Sequence, residues 1–345
     1  MDLSAIDLKR SLVGTLGILL SVVFVGILGP AGLLAALCAV FLGALDEPDP
    51  VRERLVVRAR FVTIGALVVG LLSWSGDSTL WVTLAATAIT YAGTLAAGWG
   101  SREAAEGQFL VLVAVVTLMV GSTDLAPVEL ALAFVSGGVI ATAVALAGSR
   151  WAGDDTEGTD DPAAADEPPD QPARRGLDWH SIAEVARSQV GVFAVLRALA
   201  VGIATASGYE LFEDHPVWAM LTVVVVLQTP ARQTWSTGLQ RTAGTIIGVL
   251  VGMVVVSWLD TGTVAIMIAF LVAGFGMMAF KNVSYTVSTA FTTCVLLISQ
   301  RILQEDAFST GWQRIGATLL GTAIALAVVL VIVERDRRTA NIASD

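Results

Sequence analysis

The chain has 345 residues, 55% of them hydrophobic and 14% charged, with a mean hydropathy of +0.76 and a net charge of −10. An ordinary globule cannot keep that much apolar surface out of water, so a soluble fold is excluded and an all-α polytopic membrane protein is predicted. Apolar runs separated by short polar loops, most of them long enough at 1.5 Å per residue to cross a core of roughly 30 Å, predict about twelve transmembrane helices as two six-helix repeats.

The first six runs lie near residues 11–28, 31–45, 61–75, 79–98, 108–121 and 127–148, which form an N-terminal six-helix transmembrane repeat over residues 1–148. The first of these is expected to remain in the protein, because it lacks a small-residue cleavage site and takes part in the repeat. Residues 149–177 then reverse the composition, with eight carboxylates between Asp154 and Asp170 and four of the ten prolines. Such a stretch cannot bury enough to fold and reads as an acidic disordered linker. It carries half of the net charge, so the acidic balance says little about the membrane part.

Residues 178–189 have helical spacing at Ile182, Val185 and Ala186, with Ser181 and Glu184 as a capping box. They are expected to form a short interfacial helix. The second six runs lie near 190–207, 215–229, 241–258, 263–280, 285–299 and 316–333, a C-terminal six-helix repeat over 190–335 followed by a tail at 336–345. Arginines and lysines before the odd-numbered runs fall on one side of a twelve-span topology, which puts both termini and the linker in the cytoplasm. Arg301 and Arg314 break this rule, since their loop should face outward.

The two halves match when one is slid along the other. Ser73-Trp74 falls on Ser257-Trp258, Thr79 on Thr263, Arg58 with Gly65 on Arg241 with Gly248, and Arg10 opposite Arg197, all at nearly the same offset. Within the second half, Arg241-Thr-Ala-Gly-Thr-Ile-Ile-Gly248 and Arg314-Ile-Gly-Ala-Thr-Leu-Leu-Gly321 share their internal spacing. Because the first enters from the cytoplasm and the second from outside, an inverted three-helix repeat is expected, of the kind that puts transporter sites at repeat interfaces. Gly244, Gly248 and Gly252 lie along one face of a helix opened by Arg241, a face suited to close helix contact in lipid beside a fixed positive charge.

The stretch HPVWAMLTVVVVLQTPARQTWSTGLQRTAGTIIGVLVG, with an LRALA helix around Arg197, resembles the fusaric acid resistance and aromatic acid exporter superfamily. The likeness is specific over 190–335 and weaker over 1–148. It implies a plasma-membrane, multi-pass transporter that exports small organic anions, aromatic or carboxylic in kind and coupled to a gradient. Many bacterial members carry a sizeable cytoplasmic domain between the halves, where this chain has only its tether.

Candidate path residues follow from charge and position. Arg197 is either a snorkelling side chain or an anion contact. Arg241 is an anchor or an attracting charge, and Arg314 is a partner of Glu305 or Asp306 or a path residue. Lys281 reads as an anchor or gate. His215, before Pro216, is a helix cap or a proton-exchanging group. Trp218, Thr222 and Gln228 follow it, with Thr222 and Gln228 offering hydrogen bonds to a carboxylate or to other helices.

None of the apolar runs carries Asp or Glu in its middle, which disfavours cationic substrates and buried-carboxylate relays. No phosphate-binding loop, HExxH pair or Cys/His cluster is present in the sequence, so no catalytic residue, metal or cofactor is expected. Cys38 and Cys294 read as small buried residues. The expected partners are a small organic anion, the lipid bilayer and, by self-association, further copies of the chain, with no nucleic acid. The alternatives are a passive organic-anion channel and a non-transporting membrane scaffold whose tether binds a partner.

Overall fold

The computed structural model describes residues 31–45, 51–75, 78–120, 125–151, 179–212, 215–227, 231–258, 263–280, 283–302 and 307–344. Among these residues the chain is helical, without strands. The helices are α1 (Ala31–Ala44), α2 (Val51–Trp74), α3 (Thr79–Leu95, followed by one 3₁₀ turn), α4 (Ser101–Val120), α5 (Pro127–Trp151) and α6 (Trp179–Arg187). They continue with α7 (Gln189–Leu211), α8 (Val217–Val226), α9 (Ala231–Trp258), α10 (Thr263–Phe280), α11 (Tyr285–Ile302) and α12 (Ala307–Ser344). A helix answers every apolar run of the sequence except 11–28, which lies outside the described residues, as does most of the acidic linker.

Seven helices, α2, α3, α4, α5, α7, α9 and α12, are long and apolar enough to cross a membrane. In α1, α8, α10 and α11 the apolar stretch is shorter, so the full count of twelve crossings rests on these four and on the first run. Large apolar side chains such as Leu67, Leu71, Val139, Leu250 and Leu330 are exposed along the long helices. An aqueous protein does not sustain that surface, whereas lipid accepts it. Trp74 and Trp258, each the last residue of its helix, are exposed at ends where the indole ring suits the membrane interface.

Several helices begin before their apolar runs. The runs start at 61, 108, 241 and 316, but the helices start at Val51, Ser101, Ala231 and Ala307. The added segments carry Arg and Glu in α2 and α4, and Ser, Thr, Gly and Gln in α9 and α12, residues that lower the hydropathy without ending the helix. This corrects two readings. Arg241 does not open its helix but lies ten residues inside α9, and Arg314 belongs to α12 rather than to a loop. The capping box is also displaced, because α6 starts at Trp179 and Ser181 is already inside it.

The chain divides into two compact units. One contains α1, α2, α4, α5 and α6 with the end of α3 and the start of α7. In it Gly137 of α5 lies on the Ala35 carbonyl of α1, Gly65 of α2 abuts Phe134, and Gly93 and Gly107 bring α3 and α4 into backbone contact. Val185 of α6 is buried with Leu95 and Ala194 and fills the space over Gly98. Arg58 is buried and donates to the Ala141 carbonyl at 3.3 Å. Arg60 forms a two-pronged ion pair with Glu106, its Nε 3.0 Å from the carboxylate. Glu106 is the one buried carboxylate among the described residues. It stands in α4 just ahead of the apolar run at 108–121, so the helix carries a carboxylate that the run does not.

The other unit holds α8 to α12 with most of α7 and the start of α3. Here α9 packs on α11 through the glycine face: a Cβ on Gly248 would stand 2.5 Å from the Ala290 carbonyl and 2.7 Å from Thr293 Cβ. Gly244 faces Thr286 and Thr289, and Gly252 faces Leu297 and Cys294. On the opposite side α12 packs on α8, where a Cβ on Gly321 would stand 2.6 Å from the Ala219 carbonyl and 2.7 Å from Thr222 Cβ. These two crossings have the same composition, Gly on an Ala carbonyl and a Thr Cβ three residues on.

Between them α9 and α12 meet directly. A Cβ on Gly238 would meet Thr322, and one on Gly311 would meet Val249, so the numbering rises along one helix as it falls along the other and the two run antiparallel. The step in sequence from Gly238 to Gly311 is the same as the step from Val249 to Thr322 and from Arg241 to Arg314. The spacing shared by the two matched segments is thus a local two-fold relation between α9 and α12. The offset between the halves has a counterpart too, since it carries the contact of Gly137 with Ala35 onto that of Gly321 with Ala219.

Candidate functional site

The second unit buries three arginines, Arg197, Arg241 and Arg314, each at most 7% exposed, and none of its described carboxylates is buried. A guanidinium out of water costs several kcal/mol unless its charge and its N–H groups are answered. The three are answered differently.

Arg197, eight residues into α7, donates from Nη2 to the Val224 carbonyl at 2.8 Å. That carbonyl belongs to the last turn of α8, which ends when Leu227 turns extended (ψ 99°). The last carbonyls of a helix have no partner within it and carry the negative end of its dipole. Arg197 therefore caps α8 and ties it to α7.

Arg314 stands over the Trp218 ring, its guanidinium carbon 5.0 Å from the ring centroid. The same indole stacks on His215 with centroids 3.9 Å apart and an interplanar angle of 15°. Arg314 is 3% exposed, and its Nε and Nη1 find no hydrogen-bond partner among the described residues. The expected partners Glu305 and Asp306 lie outside those residues. The π-face offsets part of the charge burial, but it accepts no N–H in the plane of the guanidinium.

Arg241 donates from Nη1 to the Tyr285 hydroxyl at 3.3 Å, and its Nε has no partner among the described residues. Two buried guanidinium groups with donors unspent, one on α9 and one on α12, are charges that an anion would stabilise.

Thr222 is fully buried, but its hydroxyl donates to the Trp218 carbonyl at 3.0 Å and its Cβ packs on Gly321, so the structure uses it in helix contact. Gln228 and Lys281 lie outside the described residues. The candidates thus separate into Arg197 at the C-terminal end of α8, His215, Trp218 and Arg314 at its N-terminal end, and Arg241 with Tyr285 at the start of α11.

Three residues were not singled out by the sequence, Thr245, Thr318 and Glu106. Thr245 and Thr318 are 0% and 1% exposed, and their hydroxyls have no hydrogen-bond partner among the described residues. The matched segments contain both, one turn after Arg241 and Arg314, and the shared threonine was the available signal. Glu106 escaped because its helix starts earlier than its apolar run.

Residues 192–328 match the model of the fusaric acid resistance protein-like family. The chain is 29% identical to the inner membrane protein YccS of Escherichia coli (strain K12) over 139 residues, 39% of this chain and 19% of that protein. It is 30% identical to the uncharacterized protein ORF2 of Neisseria gonorrhoeae over 154 residues, 44% of this chain and 36% of that protein. The matches therefore span well under half of either relative's length. No solved structure matches the chain.

Proposed function

We propose, from the premise that residues 192–328 belong to the fusaric acid resistance protein-like family, that the chain is a multi-pass inner or plasma membrane transporter of small organic anions. The observation that carries this reading is the pair Arg241 and Arg314, both buried and both holding N–H donors without a protein acceptor among the described residues. An aromatic or aliphatic carboxylate supplies both the missing charge and the missing acceptors, and the Tyr285 ring beside Arg241 offers an apolar face for the rest of such a molecule. Export is the direction we infer, coupled to an ion gradient.

A channel that passes the same anions without coupling is the second reading. It is favoured by the absence of any buried carboxylate among the described residues of the unit that holds these arginines.

Uptake of labelled 4-hydroxybenzoate into proteoliposomes, with and without an imposed proton gradient, tests both. Wild-type protein is expected to carry the anion and Arg241→Ala to lose at least tenfold in rate while still inserting; a removed hydrogen bond to a charged group accounts for about that much. Acceleration by the gradient supports coupled transport, and indifference to it supports the channel. Undiminished flux in Arg241→Ala would remove the site.

A further inference from the structure

The buried threonines of the second unit do not all behave alike. Thr205, Thr222 and Thr293 donate their hydroxyls to the carbonyl four residues earlier, at 2.8, 3.0 and 3.0 Å. This is the ordinary way for a helix to satisfy such a group away from water. Thr245 and Thr318 are as deeply buried and do not use it. A hydroxyl left without a partner in an apolar interior costs free energy, which an acceptor placed against it would recover.

Their positions are equivalent. The same step in sequence that relates α9 to α12 carries Thr245 onto Thr318, and both lie between the Gly238–Thr322 and Val249–Gly311 contacts that define the antiparallel seam. In such a seam a residue and its two-fold mate come level with each other only near the centre, and Thr245 and Thr318 stand there. One turn before each, on the same helix face, stands Arg241 or Arg314. Thr242 and Thr322, whose hydroxyls are 3.3 Å apart, continue the polar line on one side.

We propose that Thr245 and Thr318 form an anion-binding station near the centre of the α9–α12 seam, where their hydroxyls and the unspent N–H groups of Arg241 and Arg314 hold the carboxylate of the transported molecule. The assignment rests on the reading of the chain as an organic-anion transporter. A carboxylate offers about four acceptor sites, and two hydroxyls with two guanidinium groups supply donors for all of them. Two donors contributed by each of two antiparallel helices also fit a site that opens to either side by a small change in their packing.

Thr245→Val/Thr318→Val removes both hydroxyls and keeps the shape, and Thr245→Ser/Thr318→Ser keeps both hydroxyls. Equilibrium binding and proteoliposome uptake of labelled 4-hydroxybenzoate would be measured for the full chain, with the thermal midpoint as a check on folding. The valine pair is expected to weaken binding about tenfold or more at an unchanged midpoint, and the serine pair to stay within about threefold of wild type. The single variant Thr318→Val is expected to lie between them, and it carries the test if the double variant is unstable. Wild-type transport together with unchanged binding in the valine variants overturns the station alone, whereas a wild-type protein that neither binds nor transports organic anions overturns the station and the function it rests on.

Discussion

Arg197 and Arg314 show how one residue type does different work according to what its donors meet. Arg197 gives a proton to the Val224 carbonyl at the end of α8, whereas Arg314 lies over an indole with two N–H-bearing nitrogens unspent. Arg197→Ala is therefore expected to act on stability, leaving a helix-end carbonyl buried without a donor at a cost of about 1–3 kcal/mol. A lower thermal midpoint with near-normal anion affinity in the folded fraction is the predicted result; a normal midpoint with lost affinity would place Arg197 in the path instead. The sequence singled out all three arginines, but it could not assign these roles. Which atom faces a guanidinium depends on where α8 ends, and Gln228 and Pro230 in the sequence do not mark Val224 as the carbonyl that needs a donor. Thr245 and Thr318 were hidden for a related reason: a threonine inside an apolar run is ordinary until its hydroxyl is found without the carbonyl bond that its neighbours make.

At the scale of the helices, spacing was readable and boundaries were not. Gly244, Gly248 and Gly252 are one face of α9 and meet α11 along its length, as small residues four apart require. Hydropathy, however, started α2, α4, α9 and α12 seven to ten residues late, since their opening turns carry charged or polar residues that the helix tolerates. That error moved Arg241 to a helix mouth and hid Glu106. The glycines make a direct test of close packing, because they differ in what surrounds them. A side chain at Gly321 would meet the Ala219 carbonyl and Thr222, while a Cβ at Gly70 has nothing within 4 Å. Gly321→Val is expected to separate α12 from α8 and cost roughly 1–3 kcal/mol or more, and Gly70→Ala to be neutral or slightly stabilising. Thermal midpoints in detergent would check the pair, and equal effects at both positions would mean that the α8–α12 contact is not tight.

For the whole chain, composition alone was enough for the class, since no aqueous fold hides this much apolar surface, and seven of the helices are long and apolar enough to cross a membrane. The offset found between the halves has one counterpart in packing, Gly137 on Ala35 and Gly321 on Ala219. Charge follows that likeness only in part: Arg58, which falls on Arg241, is buried as well. Arg314 corresponds to Leu130 at the same offset, and the one buried carboxylate among the described residues, Glu106, corresponds to Ala290. Among the described residues the first half therefore buries one arginine, Arg58, and one carboxylate, Glu106, which is paired with Arg60, whereas the second half buries three arginines and no carboxylate. That asymmetry is why we give substrate contact to the second half. With substrate contact placed in the helices, deletion of residues 152–173 is expected to leave anion uptake within about twofold of wild type. Loss of uptake, with the protein still inserted, would instead favour a role for the tether.

Selectivity of binding for charge tests the central claim most directly, because unmatched buried arginines can favour one sign only. Equilibrium binding of 4-hydroxybenzoate and of 4-hydroxybenzylamine, similar in size and opposite in charge, would be compared on the purified protein and on Arg241→Ala/Arg314→Ala. Binding of the carboxylate and not of the amine, lost in the double variant, is the predicted result. Equal binding of both, or carboxylate binding that survives removal of both arginines, would contradict it.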